Sequence, residues 1–213
     1  MDSEENLNKE EKRESKLKNV AVSVWELAKI VLISFAIIIP IRTFIFQPFF
    51  VQGSSMEPNF HDGEYLIVNE LGYKKTTVGT EERQLFTAVP FKEISRKDII
   101  VFRNPQNLKE FFIKRVIGLP GDKIEIKDGD VVIYNEGNPQ GGILEESDYL
   151  TKMLHETQCY RQCEFEVGED ELFVLGDNRK YSSDSRSWGL LPKDYVIGKV
   201  LLRAWPFSEA QIF

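Results

Sequence analysis

The stretch Phe111–Tyr134, FFIKRVIGLPGDKIEIKDGDVVIY, decides the fold. It reads as three short strands joined by two tight turns. FFIKRVIG, KIEIK and DVVIY are rich in β-branched and aromatic residues and are bounded by turn formers. Leu119-Pro120-Gly121-Asp122 suits a type II turn, with proline at the second position and glycine at the third, where φ is positive. Asp128-Gly129 between two alternating runs is a strong hairpin signal. Because successive side chains of a strand point to opposite faces, Lys114 shares its face with Phe112 and Val116, and Arg115 points the other way with Ile113 and Ile117.

Working outward, Asp98–Arg103 (DIIVFR) and Glu171–Asp177 (ELFVLGD) carry the same signature, and no long amphipathic helix interrupts this part of the chain. The segments 71–93 and 135–168 are less regular and read as excursions from the main sheet. No internal repeat is visible. The expectation is a β-rich domain built from hairpins.

A lysine among apolar neighbours in a core-like strand is unusual, because its charged form is costly to bury. Two readings compete: an edge-strand lysine pointing to solvent, or an amine kept neutral to act as a base. The second needs a nucleophile. VQGSSMEPNF, Val51–Phe60, offers Ser54 and Ser55. A serine hydroxyl is a poor nucleophile until a base takes its proton. Histidine is the habitual base, but His61 is only six residues beyond Ser55 in a turn, and His155 lies in the second excursion. Neither carries a supporting motif. A third cluster, GDNRKYSSDSRSWG (Gly176–Gly189), crowds Asp177, Asn178, Arg179, Ser182, Asp184 and Arg186 into one turn-rich loop after a strand. Such a run is either a solvated loop or a functional one held by a rigid sheet.

The chain has 213 residues, 42% hydrophobic and 29% charged, with a net charge of -7. That suffices for one packed domain plus a tail or anchor, and the acidic balance speaks against a nucleic-acid partner. Two histidines and two cysteines are too few for a metal site of ordinary zinc spacing, so no metal or other cofactor is expected. Cys159 and Cys163 are compatible with two free thiols or with a small-loop disulfide in an oxidising compartment.

The polar segment 1–20 reads as a solvated tail, and 21–42 as a single membrane-spanning helix rather than a cleaved leader, since no small-x-small site follows. Glu26 and Lys29 can pair one turn apart, and Trp25 suits the membrane interface. Lys9, Lys12, Arg13, Lys16 and Lys18 precede the span, whereas after Arg42 no Lys or Arg appears until Lys74. The positive-inside rule then leaves the N-terminus in the cytoplasm and the domain 43–213 outside, with 135–170 as an inserted accessory excursion.

GSSMEP, GEYLIVNE (Gly63–Glu70), RKDIIVFRNP with FIKRVIGLPGD, and GDNRKYSSDSRSWG, in this order after one span, resemble the bacterial type I signal peptidases, Ser/Lys enzymes of the membrane. The resemblance implies a mainly β, antiparallel-sheet catalytic domain preceded by one transmembrane helix. It implies Ser55 as the nucleophile, Lys114 as the general base, Ser182 orienting the lysine amine, and Asp184 paired with Arg115 and Arg186. Gly53 stands where some members have a serine completing the oxyanion hole, so only a backbone N–H, that of Ser55, is assured. Lys180-Tyr181 departs from the family's usual loop. The implied substrates are membrane-tethered preproteins with small residues at positions -1 and -3, cut near the secretion translocon. Met56, Pro58, Phe44, Phe46, Phe49 and Phe50 are the implied substrate and lipid-bilayer contacts, with Trp205-Pro206-Phe207 beside them. The alternatives are a catalytically inactive, anchored binding or scaffold relative, and a self-cleaving repressor. The latter needs a DNA-binding helix pair that residues 1–42 do not offer.

Overall fold

The computed structural model describes residues 20, 22–39, 42, 45–79, 84–151, 156–160 and 162–213. The chain divides into two compact units, Met1–Ile45 and Phe46–Phe213. The described part of the first is a helix, α1, Val22–Ile39. Its 18 residues rise about 27 Å, close to the thickness of a bilayer's hydrocarbon core. Val22, Trp25, Leu27, Ile30, Leu32 and Phe35 are all exposed around it, so the helix has no polar face to offer water. Its one charged pair is internal: Lys29 Nζ meets Glu26 at 2.7 Å. The expected polar tail and Pro40 lie outside the described residues.

The second unit is made of strands: β1 Phe46–Phe50, β2 Tyr65–Asn69, β3 Thr76–Gly79, β4 Gln84–Ala88, β5 Ile99–Asn104, β6 Asn107–Gly118, β7 Lys123–Lys127, β8 Asp130–Asn135, β9 Asn138–Ile143, β10 Glu164–Glu166, β11 Glu171–Leu175, β12 Leu191–Pro192, β13 Val196–Trp205 and β14 Gln211–Ile212. A short helix, α2 (Ser185–Trp188), separates β11 from β12. The larger sheet runs β1-β2-β13-β5-β6-β11-β12, with β14 on β13. The smaller runs β10-β7-β8-β9, and β3-β4 is a separate hairpin. Every pairing is antiparallel.

The turns behave as their residues demand. Gly121 adopts φ 81°, and the Asp122 N–H closes the type II turn on the Leu119 carbonyl at 3.0 Å. Asp128 (φ 53°) and Gly129 (φ 89°) take the positive angles of a type I′ turn, which sets Lys127 opposite Asp130. Asp122 then joins the two sheets. Its buried carboxylate accepts from the Leu119 N–H, from Arg96 Nη1 at 2.8 Å and from Asn135 Nδ2 at 3.1 Å.

Lys114 is not on an edge. β6 is paired on one side with β5, where Lys114 faces Ile100, and on the other with β11, where Arg115 faces Leu175. The larger sheet is covered on both faces. Ile99 and Val101 join one apolar cluster with Met56, Phe60 and Val200, while Ile100 and Phe102 join another with Val174 and Leu191. A strand buried on both faces reads as an unbroken apolar run, which is why IIVF lacks alternation.

Several strands escape a reading by pattern. β1 (FQPFF) looks like a continuation of the apolar anchor, yet it pairs with β2 as an edge strand, the place where Pro48 is tolerated. β13 mixes Gly198, Lys199 and Arg203 with aliphatics, yet it lies centrally between β2 and β5. The segment expected as an accessory excursion, 135–170, contains β9 and β10. It supplies both outer strands of the smaller sheet, and Phe165 and Val167 are buried in its core. Cys159 and Cys163 are joined as a disulfide.

Gly198 sits where β13 crosses β2, and a Cβ there would lie 2.2 Å from the Asn69 carbonyl oxygen. Gly198→Ala is expected to cost about 1–3 kcal/mol of stability, read by thermal unfolding of the solubilised chain.

Candidate active site

The chain leaves β1 into a turn-rich segment that ends at β2. Val51, Met56 and Phe60 are buried beneath it and anchor it, so Ser55, between Val51 and Met56, is held by its neighbours' packing. Backbone bonds from Glu57 N–H to the Ser54 carbonyl (3.1 Å) and from Phe60 N–H to the Met56 carbonyl (3.0 Å) close the turns. Two side chains then clamp the serines. The Asp62 carboxylate accepts from the Gly53 N–H at 2.7 Å, and Gly53 takes φ 85°, an angle natural to glycine. From the other side, Asn178 donates its N–H to the Ser55 carbonyl and its side-chain amide to the Ser54 carbonyl, both at 3.0 Å.

Into this turn β6 sends Lys114. Its Nζ lies 2.7 Å from Ser55 Oγ and 2.8 Å from the Ile113 carbonyl oxygen. The residue is 3% exposed, and the Phe112 ring lies 5.3 Å from the amine. Burial lowers its pKa from 10.5 to about 8, against the upward pull of Asp184 and then Asp177. When neutral, the amine donates to the Ile113 carbonyl, and its lone pair is free to accept the Ser55 hydroxyl.

The two carboxylates that oppose this shift are themselves paired. Arg115, on the face of β6 opposite Lys114, grips Asp177 through Nε at 2.8 Å and Nη2 at 2.7 Å. Asp184 caps α2 and accepts Arg186 Nε at 2.8 Å, Arg186 Nη2 at 2.7 Å and the Gly176 N–H at 3.1 Å. Bidentate pairing of this kind is strong and keeps much of the carboxylate charge occupied.

Most residues singled out in the sequence converge here, with corrections in their contacts. Arg115 pairs with Asp177, not with Asp184: β6 and β11 place Arg115 opposite the end of β11, and Asp177 is the first carboxylate after it. Ser182 Oγ is buried without a hydrogen-bond partner among the described residues, and the Ile113 carbonyl takes the contact on Lys114 expected of it. Met56 is 1% exposed and belongs to the core, so it offers no surface to a substrate or to lipid. Phe49 lines the cleft beside Ser55, while Phe46, Phe50 and Pro58 are exposed. Phe44 and His155 lie outside the described residues, and His61 is exposed 3.7 Å from Glu57. The Gly53 N–H is taken by Asp62, and the Ser55 N–H has no acceptor among the described residues. The clamps Asp62 and Asn178 were missed as such. Only the position of Asn178 beside Asp177, in a loop already under suspicion, hinted at one of them. Among the described residues no cluster suits a metal ion.

The cleft at Ser55 is walled by Phe49, Leu66, Val101, Phe112 and, on its rim, the exposed Tyr181. A serine hydroxyl against a buried amine, in an apolar cleft of antiparallel sheets, is an arrangement suited to a peptidase. The family model described as signal peptidase, peptidase S26, matches residues 24–205, and the chain belongs to this signal peptidase family. It is 35% identical over 191 residues to signal peptidase IB of Staphylococcus aureus, covering 83% of this chain and 87% of that protein. A solved structure of a signal peptidase I from Enterococcus faecalis is 32% identical, with a TM-score of 0.38, and covers 51% of this chain and 97% of that one.

Two outcomes follow from the packing. A Cβ on Gly176 would fall 2.4 Å from the Ser55 carbonyl and 2.2 Å from Ser182 Oγ. Gly176→Ala is therefore expected to displace the Ser55 turn and lower peptidase kcat/KM about a hundredfold, in a chain that still unfolds cooperatively. Lys114 has a lowered folded pKa, so its burial penalty is complete below about pH 8 and fades as pH rises to 10.5 and above. Lys114→Met should raise stability at pH 7 by about 1–3 kcal/mol, less at pH 11, as read by thermal unfolding at both pH values.

Proposed function

We propose that the chain is a membrane-anchored serine endopeptidase that removes signal peptides from exported preproteins, with Ser55 as nucleophile and Lys114 as general base. Membership of the signal peptidase family supports the substrate kind. The observation that carries the mechanism is the 2.7 Å approach of Ser55 Oγ to the buried Lys114 amine.

The neutral amine takes the Ser55 proton as Oγ attacks the scissile carbonyl, and the oxyanion forms against the Ser55 N–H. The ammonium created on Lys114 is the charge that Asp184 and Asp177 stabilise. It then protonates the leaving amine, and Ser55 is left acylated. Water, deprotonated by the regenerated Lys114, attacks the ester and releases the signal peptide. Phe49, Phe112 and Leu66 line the cleft beside Ser55, and their bulk supports a preference for small side chains at positions -1 and -3.

The anchor is α1, with the basic tail on the cytoplasmic side and the domain on the outer face of the plasma membrane. The domain carries its own lipid-facing edge. Phe50, Tyr65 and Trp205 are exposed and lie side by side across β1, β2 and β13, with Phe207 4.9 Å from Trp205. Aromatic rings of this sort favour the membrane interface. Proximity to the bilayer raises the effective concentration of a tethered substrate.

Cleavage of a preprotein by the detergent-solubilised full chain tests this reading. Ser55→Ala and Lys114→Ala should each lower kcat/KM at least about a thousandfold, and Lys114→Arg should be equally inactive, because arginine keeps its proton. The base works only unprotonated, so kcat/KM should fall about tenfold per unit as pH drops below about 8. Wild-type rates from Ser55→Ala or Lys114→Ala would sink the mechanism.

A further inference from the structure

Three buried arginines stand behind the nucleophile, and each touches the segment that leaves the smaller sheet after β9. Arg179 is gripped by Glu146, with Nη1 at 3.0 Å from Oε2 and Nη2 on Oε1. The same guanidinium donates to Thr157 Oγ1, and its Nε donates to the Gly176 carbonyl at 3.1 Å. Glu146 is held in turn by the Tyr149 hydroxyl, which donates to it. Tyr149 lays its ring 4.0 Å from the Arg115 guanidinium carbon. Arg186 donates to the Gln158 carbonyl at 3.2 Å. Glu146, Thr157 and Arg179 are all fully enclosed, so this is an interior junction and not a surface contact.

The junction reaches the nucleophile through one residue. Asn178, which holds the Ser54 and Ser55 carbonyls, lies between Asp177 and Arg179. Arg115 fixes Asp177 from one side and Glu146 fixes Arg179 from the other. Asn59 adds a brace: its amide donates to Asp177 Oδ2 and to the Tyr149 carbonyl, both at 2.8 Å. The Asn178 clamp thus has a rigid seat on each flank: Glu146 supplies the Arg179 side, and the Tyr149 ring backs Arg115 on the Asp177 side.

We propose that Glu146 and Tyr149 are positioning residues for cleavage, holding the Arg179 and Arg115 sides of the Asn178 clamp so that Ser55 stays in line with Lys114. The 135–170 segment is then part of the catalytic machinery's support, not an accessory. Without the Glu146 carboxylate, Arg179 is a buried charge lacking its partner and must find another acceptor, and Asp177, which already acts on it electrostatically, is a carboxylate that serves the site. The effect falls on the geometry of attack, so it lowers kcat while KM, set by the cleft walls, changes little.

This inference rests on the Ser55/Lys114 reading, and one set of measurements separates the two. Preprotein cleavage is followed for wild type, Ser55→Ala, Glu146→Gln, Tyr149→Phe and Tyr149→Leu, with the folded fraction measured by thermal unfolding and rates taken well below each midpoint. Expected are a kcat about 10–100-fold lower for Glu146→Gln and about tenfold lower for Tyr149→Leu, each per folded molecule and with KM within about threefold. Tyr149→Phe keeps the ring on Arg115 and should lose no more than about threefold. Adding Arg179→Gln to Glu146→Gln removes the stranded charge and should recover part of kcat. The inference is overturned if kcat per folded molecule is unchanged in Glu146→Gln and Tyr149→Leu, or if activity falls only in step with the folded fraction. Should Glu146→Gln fail to fold, the Tyr149→Leu and Tyr149→Phe pair decides alone: equal kcat values overturn it. Equal rates for wild type and Ser55→Ala would instead strike the underlying mechanism.

Discussion

The contact on which the rest depends is a lysine amine held out of water against a serine hydroxyl. Lowering the Lys114 pKa from 10.5 to about 8 corresponds to on the order of 3 kcal/mol of disfavoured charging. That cost must be met by the surrounding fold, and the topology shows how. Lys114 sits on β6, flanked by β5 and β11, with apolar clusters on both faces of the sheet. A lysine on an edge strand would reach solvent and regain its ordinary basicity. The central position is what keeps the amine out of water and its pKa low.

Burying an amine beside acidic residues creates an opposing demand. Free carboxylates at Asp177 and Asp184 would draw a proton onto Lys114 and hold it there. Each is instead bound in two-pronged fashion by an arginine, Arg115 or Arg186, and further satisfied by neighbouring donors. The carboxylates remain near enough to stabilise an ammonium when one forms, yet are occupied enough not to enforce it. The Arg179–Glu146 pair extends the same alternation away from the site. Buried ion pairs add little net stability in general, and their use here is better understood as fixing one geometry.

Much of this was legible in the chain itself. The two turns between Gly118 and Asp130 followed from Pro120, Gly121, Asp128 and Gly129, whose backbone preferences are local and strong. Ser55 and Lys114 were candidates because of a lysine in an apolar strand and a serine without a usable histidine, and their roles were implied by the resemblance to the family's motif order. β1 and β13 were not legible. The first has the composition of an anchor, and the second carries polar residues whose partners, Asp98 for Lys199 and Glu64 for Arg203, are distant in sequence. The contact roles given to Ser182, Arg115 and Met56 were misplaced for a related reason. Residue type restricts what a side chain can do, and packing chooses its partner.

The sequence by itself determined the β class, the turn geometry, the apolar helix and the candidacy of Ser55 and Lys114, because each rests on local backbone preference or on the cost of an isolated charge. Only the tertiary structure decided that Asp177 belongs to Arg115, that Asp62 and Asn178 clamp the turn carrying Ser55, and that Glu146 reaches Arg179. Those contacts join residues 9 to 124 positions apart. Their distances depend on strand order and register, which no local pattern encodes.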